Sequence, residues 1–487
     1  MNTINAGRKF RIVAAALAAG VVVAACGGSG GGGSANTAPS VPDPANMVPS
    51  SAVAYASVTI KPQGSMRSDL IEAIDSIAGK GSAQKLSASF EKSLGKKWKA
   101  LKPWVGQQIG IALTALPASL AGGAQAFEND VLVVVPTKDP AAATSYLTKN
   151  VKSAGEAWNV VGHYAIIGGK NAVGRSEVTT PKTSLAADAG FKSDMAQLGS
   201  DELFSVYVPL HQLYEQLLPL LQRLPNHSEA TALSTGAKQV PPGSSVAFGM
   251  AALHNQFRID LIEHGTSTTT STPTSAVPSD VSSLPGSAWL AITLGGALAK
   301  GSTVTQLTSN LSKELASIQA LSGTVGSHVP SGPLSFVEQD LLPALGPAEL
   351  AVSGTSLTTL QAGLVMAPDN TSAGGRLAKA VKHLVSGLPI SSTSSGGRVA
   401  VTFGYSNLKQ LLTPSSTLSG NPTFKQALAQ LPAGAKADIY LNFAPITDLA
   451  SLDPSAASAP AMKVLHRLDY LIAGGTHSHF RLVLATY

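Results

Sequence analysis

Val48-Pro49-Ser50-Ser51-Ala52-Val53-Ala54-Tyr55 opens one extended apolar run, and Leu284-Pro285-Gly286-Ser287-Ala288-Trp289-Leu290 opens another 236 positions later. Landmarks downstream of the two recur in the same order. Gly106 leads into QQIGIAL, and Gly346 leads into PAELAVS. VLVVVP ending at Pro136 matches GLVMAP ending at Pro368. FKSDMAQL from Phe191 matches FKQALAQL from Phe424, and LFSVYVPLHQL from Leu203 matches IYLNFAPITDL from Ile439. Last, His254-x-x-Phe257-Arg258 matches His477-x-x-Phe480-Arg481. The offsets lie between 223 and 240, a drift that loop insertions produce. One match is weak; six in a single order read as a two-fold internal duplication, with copies at 48–265 and 284–487.

Each copy alternates between two periodicities. Short runs rich in β-branched residues read as strands: AVAYASVTI (52–60), IGIAL (109–113), VLVVV (131–135), LFSVYV (203–208), SVAFGMAA (245–252) and FRIDLIE (257–263). NVVGHYAIIG (159–168) reads as a hairpin turning at Gly162–His163, and a second hairpin turns at His254–Asn255. Helical spacing joins Leu70, Ile74 and Ile77, then Leu86, Phe90 and Leu94, and in the second copy Leu307, Leu311, Leu315 and Ile318. Asp139-Pro140 is a helix start, with a capping carboxylate followed by a proline whose missing N–H costs nothing there; Asn421-Pro422 repeats the pattern. The fold class expected is α+β, two duplicated halves, each a mainly antiparallel sheet with helices packed on it. Between the copies, residues 266–283 (TSTTTSTPTSAVPSDVSS) have no apolar period and read as a linker, a candidate for O-linked sugar.

Upstream of the first copy the chain reads as an export signal. Arg8, Lys9 and Arg11 precede an apolar run from Ile12 to Ala25. At about 14 residues it is too short to span a bilayer and the right length for a signal-peptide core, so residues 1–25 are assigned to one. The run ends Val23-Ala24-Ala25-Cys26, which looks like a bacterial lipobox. Small residues there admit the peptidase, and the thiol is the nucleophile that takes a diacylglyceryl group. Cys26 is the one cysteine in 487 residues, and it is the predicted lipidation site, carrying acyl chains such as palmitate. Two or more chains anchor firmly where one does not. Residues 26–47 then read as the lipidated cysteine and a flexible Gly/Ser/Pro tether, the 20 residues 27–46 reaching roughly 25 Å.

Composition narrows the function classes. Charged residues are 13% and apolar ones 44%. That is too apolar for a disordered chain, yet no later stretch is long and apolar enough for a membrane helix. With a single cysteine there is no intrachain disulfide and no thiolate metal cluster. The formal charge of +6 falls to +3 without the three N-terminal cations. The remaining basic cluster, Lys92, Lys96, Lys97, Lys99 and Lys102, is flanked by Trp98 and Trp104. It is too sparse for a nucleic-acid stripe and reads as a solvated helix end.

With its Pro-Ser-Ser-Ala-Val-Ala-Tyr-Ala start, the strand ending at Pro136 and the duplicated plan, the chain resembles a bacterial family of uncharacterised proteins, domain of unknown function 3352. The resemblance implies an extracytoplasmic protein and supports the architecture. It brings no activity, cofactor or catalytic residue.

Catalytic motifs are at chance frequency. Gly27-Gly28-Ser29-Gly30-Gly31 has the spacing of a nucleophile elbow but lies in the tether with no strand before it. Ser-x-x-Lys occurs at Ser82, Ser89, Ser93 and Ser406 without the partner motifs of a penicillin-binding site. Gly168-Gly169-Lys170-Asn171 lacks the first glycine and the final hydroxyl of a phosphate loop. His477 and His479, with His466 upstream, are the strongest metal candidates, but the first copy has Gln256 where His479 stands, so a hairpin-turn role is expected instead. Arg258 and Arg481 hold equivalent places, read as strand arginines at the sheet surface, with a buried pairing to a carboxylate as the alternative. No catalytic, cofactor-binding or metal residue is assigned, and no cofactor is expected.

The sequence therefore reads as a lipoprotein on the outer face of the cytoplasmic membrane. Its partners are the membrane, through the anchor, and a lipid or a protein; nucleic acid is not among them. The leading function is non-catalytic binding of an apolar or lipid ligand. A scaffold or protein-partner module of the envelope is the alternative, and a hydrolase ranks last.

Overall fold

The computed structural model describes residues 42–119, 123–151, 156–221, 240–265, 280–294, 348–356, 358–366, 390–395, 398–405, 409–452 and 459–487. The chain divides into two compact units, one of Met1–Thr269 with His477–His479, the other of Thr270–Thr476 with Phe480–Tyr487. The class is α+β, as the sequence indicates, and every described strand pairing is antiparallel.

The first unit holds strands β1 (Ala54–Thr59), β2 (Gln108–Leu113), β3 (Val131–Pro136), β4 (Glu156–Val161), β5 (Tyr164–Gly169), β6 (Glu202–Pro209), β7 (Ser245–Leu253) and β8 (Gln256–His264). Its helices are α1 (Gly64–Ala78), α2 (Ser82–Leu101), α3 (Pro140–Asn150), α4 (Lys170–Glu177), α5 (Ala189–Leu198) and α6 (Leu210–Leu221). The strand order is β8-β7-β6-β1-β2-β3-β5-β4. Both expected hairpins form. Gly162 turns β4 into β5 at φ +55°, and Asn255 turns β7 into β8 at φ +54°, the positive φ that a two-residue hairpin demands. Asp139 caps α3 by accepting the Ala142 N–H at 2.9 Å.

Strand alternation gives the sheet two faces. On one, Tyr55, Ala112, Leu132, Val134, Ile166, Tyr207 and Ala247 are buried beneath Phe191 of α5 and Ala172 and Val173 of α4. Phe191 meets Tyr207 edge-on, with ring centroids 5.2 Å apart. On the other, Val58, Val135, Ala165 and Ile167 pack with Trp98, Trp104 and the α3 residues Ala143 and Leu147. A separate cluster, Leu70, Ala73 and Ile74 with Leu203 and Ala252, seats α1.

The last residues of the segment expected to be tether, through 47, are instead structured. Pro44–Met47 is a 3-10 turn, capped by Asp43 accepting the Ala45 N–H at 2.9 Å, and Ala45 is fully buried. A Cβ on Gly110 would stand 2.7 Å from Pro44 Cβ, so the glycine lets this turn seat on β2. Burial of Ala45 and Met47 brings the segment into the core, an apolar gain that polar tether residues lack. The last residues of the segment expected to be linker, through 283, are structured as well. Val281–Ser283 is a 3-10 turn capped by Asp280, and Val281 is fully buried.

The second unit holds β9 (Ala288–Leu294), β10 (Ala348–Ser353), β11 (Gln361–Met366), β12 (Ile390–Ser395), β13 (Arg398–Phe403), β14 (Lys436–Asn442), β15 (Leu468–Gly475) and β16 (His479–Thr486). Its described helices are α7 (Lys409–Leu412), α8 (Pro422–Leu428), α9 (Ala444–Ala450) and α10 (Pro460–Leu465). Its order is β16-β15-β14-β9-β10-β11-β13-β12. Its core sets Ala291, Ala351, Val365, Ala400, Tyr440 and Ile472 under Phe424 and Leu418. The predicted stripe Leu307–Ile318, Ser406 and residues 266–279 lie outside the described residues, as do the side chains of Phe90, Leu94, Lys96 and Lys97.

Candidate functional site

The half-buried sheet face of the first unit is the strongest candidate for binding. Adjacent strands set Phe248, Val206, Ala56, Ile111 and Val133 side by side across β7, β6, β1, β2 and β3. The next row is Val246, Val208, Ala54, Leu113 and Val131. All ten are half-buried, whereas the opposite face is sealed. The two alanines on β1 make the middle of this face its lowest part, a trough flanked by branched side chains. The Trp98–Trp104 cluster closes one end, at Val58, Ile109 and Phe204. Beyond Leu113 lies a pocket of about 200 Å³, lined by Leu116, Pro117, Ala118, Gln216, Pro219 and Leu220. Its polar group is Gln216, whose Oε1 accepts the Leu116 N–H at 2.8 Å.

Arg258 is not the surface residue the sequence suggested. Its Nη2 donates to Glu202 Oε1 at 2.9 Å and to the Leu198 carbonyl at 2.7 Å, and its Nε stands 2.7 Å from Asp260 Oδ2. Asp260 is 1% exposed and takes His479 Nε2 on its other oxygen at 2.7 Å. The guanidinium therefore closes the carbonyl end of α5 while pairing with two buried carboxylates. Arg481 does part of this in the second unit, donating to the Gln430 carbonyl at 3.1 Å beyond α8. Sequence spacing could not show the pairing, because Glu202 lies 56 positions from Arg258.

The histidines weighed as metal ligands are not gathered. His466 and His477 are exposed, and His479 is committed to Asp260. Among the described residues no three-ligand cluster includes any of them. Ser245, Asp194 and His264 do approach one another. Ser245 Oγ donates to Asp194 Oδ2 at 2.5 Å, and His264 Nδ1 lies 3.7 Å from Asp194 Oδ1. The carboxylate stands between hydroxyl and imidazole, so the imidazole does not face the hydroxyl as the base of a Ser-His-Asp triad does. Asp194 is also fully buried, and desolvation raises its pKa.

Two further shifted groups serve the structure. Burial pushes Glu349 up to about 7 despite the Arg398 guanidinium at 3.3 Å. Burial, with Lys138 and Lys102 nearby, brings Lys61 down to about 8; its ammonium donates to the Lys102 and Val105 carbonyls at 2.8 and 2.7 Å. In the basic cluster Lys102 pairs with Glu91 at 3.1 Å, while Trp98 and Trp104 are core residues, 6% and 2% exposed. Of the Ser-x-x-Lys serines, Ser82 donates to the Ala78 carbonyl in a helix junction. Cys26 and Gly27–Gly31 lie outside the described residues.

Comparison with known proteins agrees with the resemblance read from the sequence. Residues 11–167 match the model of a family described as "Protein of unknown function (DUF3352)". No curated protein matches. A solved chain titled "Structure of crystal form I of TP0453" aligns at 9% identity, covering 75% of this chain and 94% of that one, with a TM-score of 0.14. At that score the alignment carries no argument about fold or function.

Proposed function

We propose that the protein is a lipoprotein held by acyl chains on Cys26 at the outer face of the cytoplasmic membrane. It binds an apolar or lipid ligand without catalysing a reaction. The observation that carries this reading is the pair of in-register apolar rows around Ala54 and Ala56, ending at the pocket beside Leu116 and Leu220. Ten half-buried apolar side chains on one face are a standing cost in water, relieved when an acyl chain covers them. The lipobox at Val23–Cys26 supports the location.

The two units are read here as copies of one fold. Three kinds of observation support that. The strand orders match when each strand is paired with the one eight numbers later. Isolated bridges recur between Pro49 and Ser184 and between Pro285 and Thr417, beside N–H donations from Leu185 to Val48 O and from Leu418 to Leu284 O. Phe424 meets Tyr440 edge-on at 5.1 Å, as Phe191 meets Tyr207. These contacts refine the alignment. Tyr207 answers to Tyr440, an offset of 233 rather than the 236 that pairing Leu203 with Ile439 implies. Asn421, accepting the Phe424 N–H, answers to Asp188, accepting the Phe191 N–H, not to Asp139.

Native mass spectrometry of the protein extracted from its own membrane tests the ligand. A retained mass beyond the Cys26 anchor, lost on Ala56→Trp in a still-folded chain, is expected. Absence of any retained apolar molecule in the wild type sinks the reading. The pocket's size favours a second reading, a docking module for a protein partner. About 200 Å³ is below the roughly 300–1,000 Å³ typical of small-molecule sites. A stoichiometric protein displaced by Ala56→Trp, with no lipid retained, would establish it.

A further inference from the structure

We propose that Asp69, Glu72 and His254 form a divalent-cation site suited to zinc. Asp69 and Glu72 stand three residues apart on α1 and so share one face of the helix. His254 opens the β7–β8 turn, and its Nδ1 lies 2.9 Å from Glu72 Oε2 across 182 positions of sequence. One ligand atom from each of the three lies within 4.8 Å of the others. Both supports are firm. The buried side of α1, Leu70, Ala73 and Ile74, packs with Leu203 and Ala252 and against the half-buried Phe257, so the helix cannot roll its carboxylates away. Asn255, at φ +54°, holds the hairpin tip in a tight two-residue turn.

Zinc bonds of about 2.0–2.2 Å to imidazole nitrogen and carboxylate oxygen place tetrahedral ligands roughly 3.4 Å apart. A 4.8 Å spread therefore closes with small side-chain movements. Two carboxylates and a neutral imidazole sum to two negative charges, which a divalent ion balances and a monovalent one does not. An imidazole ligand suits zinc, whereas calcium and magnesium prefer all-oxygen shells. With His254 73% and Glu72 40% exposed, the fourth position opens to water. The site is independent of the apolar face.

Titration of the full chain with zinc chloride alone at pH 7.5, followed by calorimetry, tests this. The expected result is one site of micromolar affinity, weakened at least tenfold by His254→Ala and by Asp69→Asn and unchanged by His477→Ala. Cys26 and the histidines other than His254 and His477 are common to all four proteins and cancel in the comparison. Lowering the pH to 5.5 weakens binding further, because the ligand nitrogen must be unprotonated. The three side chains are half-buried or exposed, so the variants fold. Parent protein that binds no zinc at millimolar concentration, or variants that bind as the parent does, would overturn the proposal.

Discussion

Replacing Arg258 with methionine isolates the electrostatic part of the first unit's stability. Methionine keeps most of the apolar stem and removes the guanidinium, so little packing is lost. What disappears is three charged contacts, to Glu202, Asp260 and the Leu198 carbonyl, at 2.7–2.9 Å. The site is buried: Arg258 is 15%, Glu202 9% and Asp260 1% exposed at the side chain. An exposed pair such as Lys102–Glu91, at 48% and 38%, is worth about 0–1 kcal/mol. Removing one partner of a buried pair instead leaves charge without a counterion and costs about 3–5 kcal/mol. The expected loss at pH 7.5 is therefore about 4 kcal/mol. Urea unfolding followed by tryptophan fluorescence reads it, since Trp98, Trp104 and Trp158 lie in the first unit and Trp289 alone in the second. A loss below 1 kcal/mol would refute the reasoning.

Phe424→Ala and Phe191→Ala each delete a core ring that meets a tyrosine edge-on, and each should cost about 3–5 kcal/mol in its own unit. Unequal losses in calorimetry, differing by more than 2 kcal/mol, would speak against equivalent positions. Glu349, held near 7 in the folded protein against 4.5 in a free chain, withdraws stability as pH rises from 4.5 to 7 and most fully above 7. Glu349→Gln should flatten that slope, worth up to about 3 kcal/mol at 1.36 kcal/mol per unit; a thermal-unfolding profile parallel to wild type across this range would contradict it. Cys26→Ala should move the protein from the membrane fraction to the soluble one and remove acyl mass from the intact chain. Unchanged fractionation, together with a wild-type mass lacking acyl groups, would remove the anchor.

The alternating runs around Ala54–Thr59 and Val131–Pro136, the Asp139-Pro140 cap and the two hairpin turns were legible because each depends on neighbours within a few residues. The starts of the two units were misplaced by several residues for the opposite reason. Pro44–Met47 and Val281–Ser283 look like linker in composition, and only a sheet to bury Ala45 and Val281 makes them structure. The candidate face was legible in part. The apolar identity of Ala54, Ala56 and Ile111 is plain, but a period of two leaves both faces of such strands apolar, so the open one could not be told from the sealed one.

The sequence by itself determined the class of fold and the order of its elements, since periodicity and caps act locally along the chain. Tertiary structure alone decided which charged side chains meet. Arg258 was free to be a surface residue until β6 and α5 brought Glu202 and the Leu198 carbonyl to it, and until Asp260 turned inward beside it. His254 gained two carboxylate neighbours in the same way, from a helix 182 positions upstream. Pairing of this kind depends on strand register and on which face of the sheet each helix covers. Those are set by the burial of the whole core, a quantity no short stretch of sequence contains.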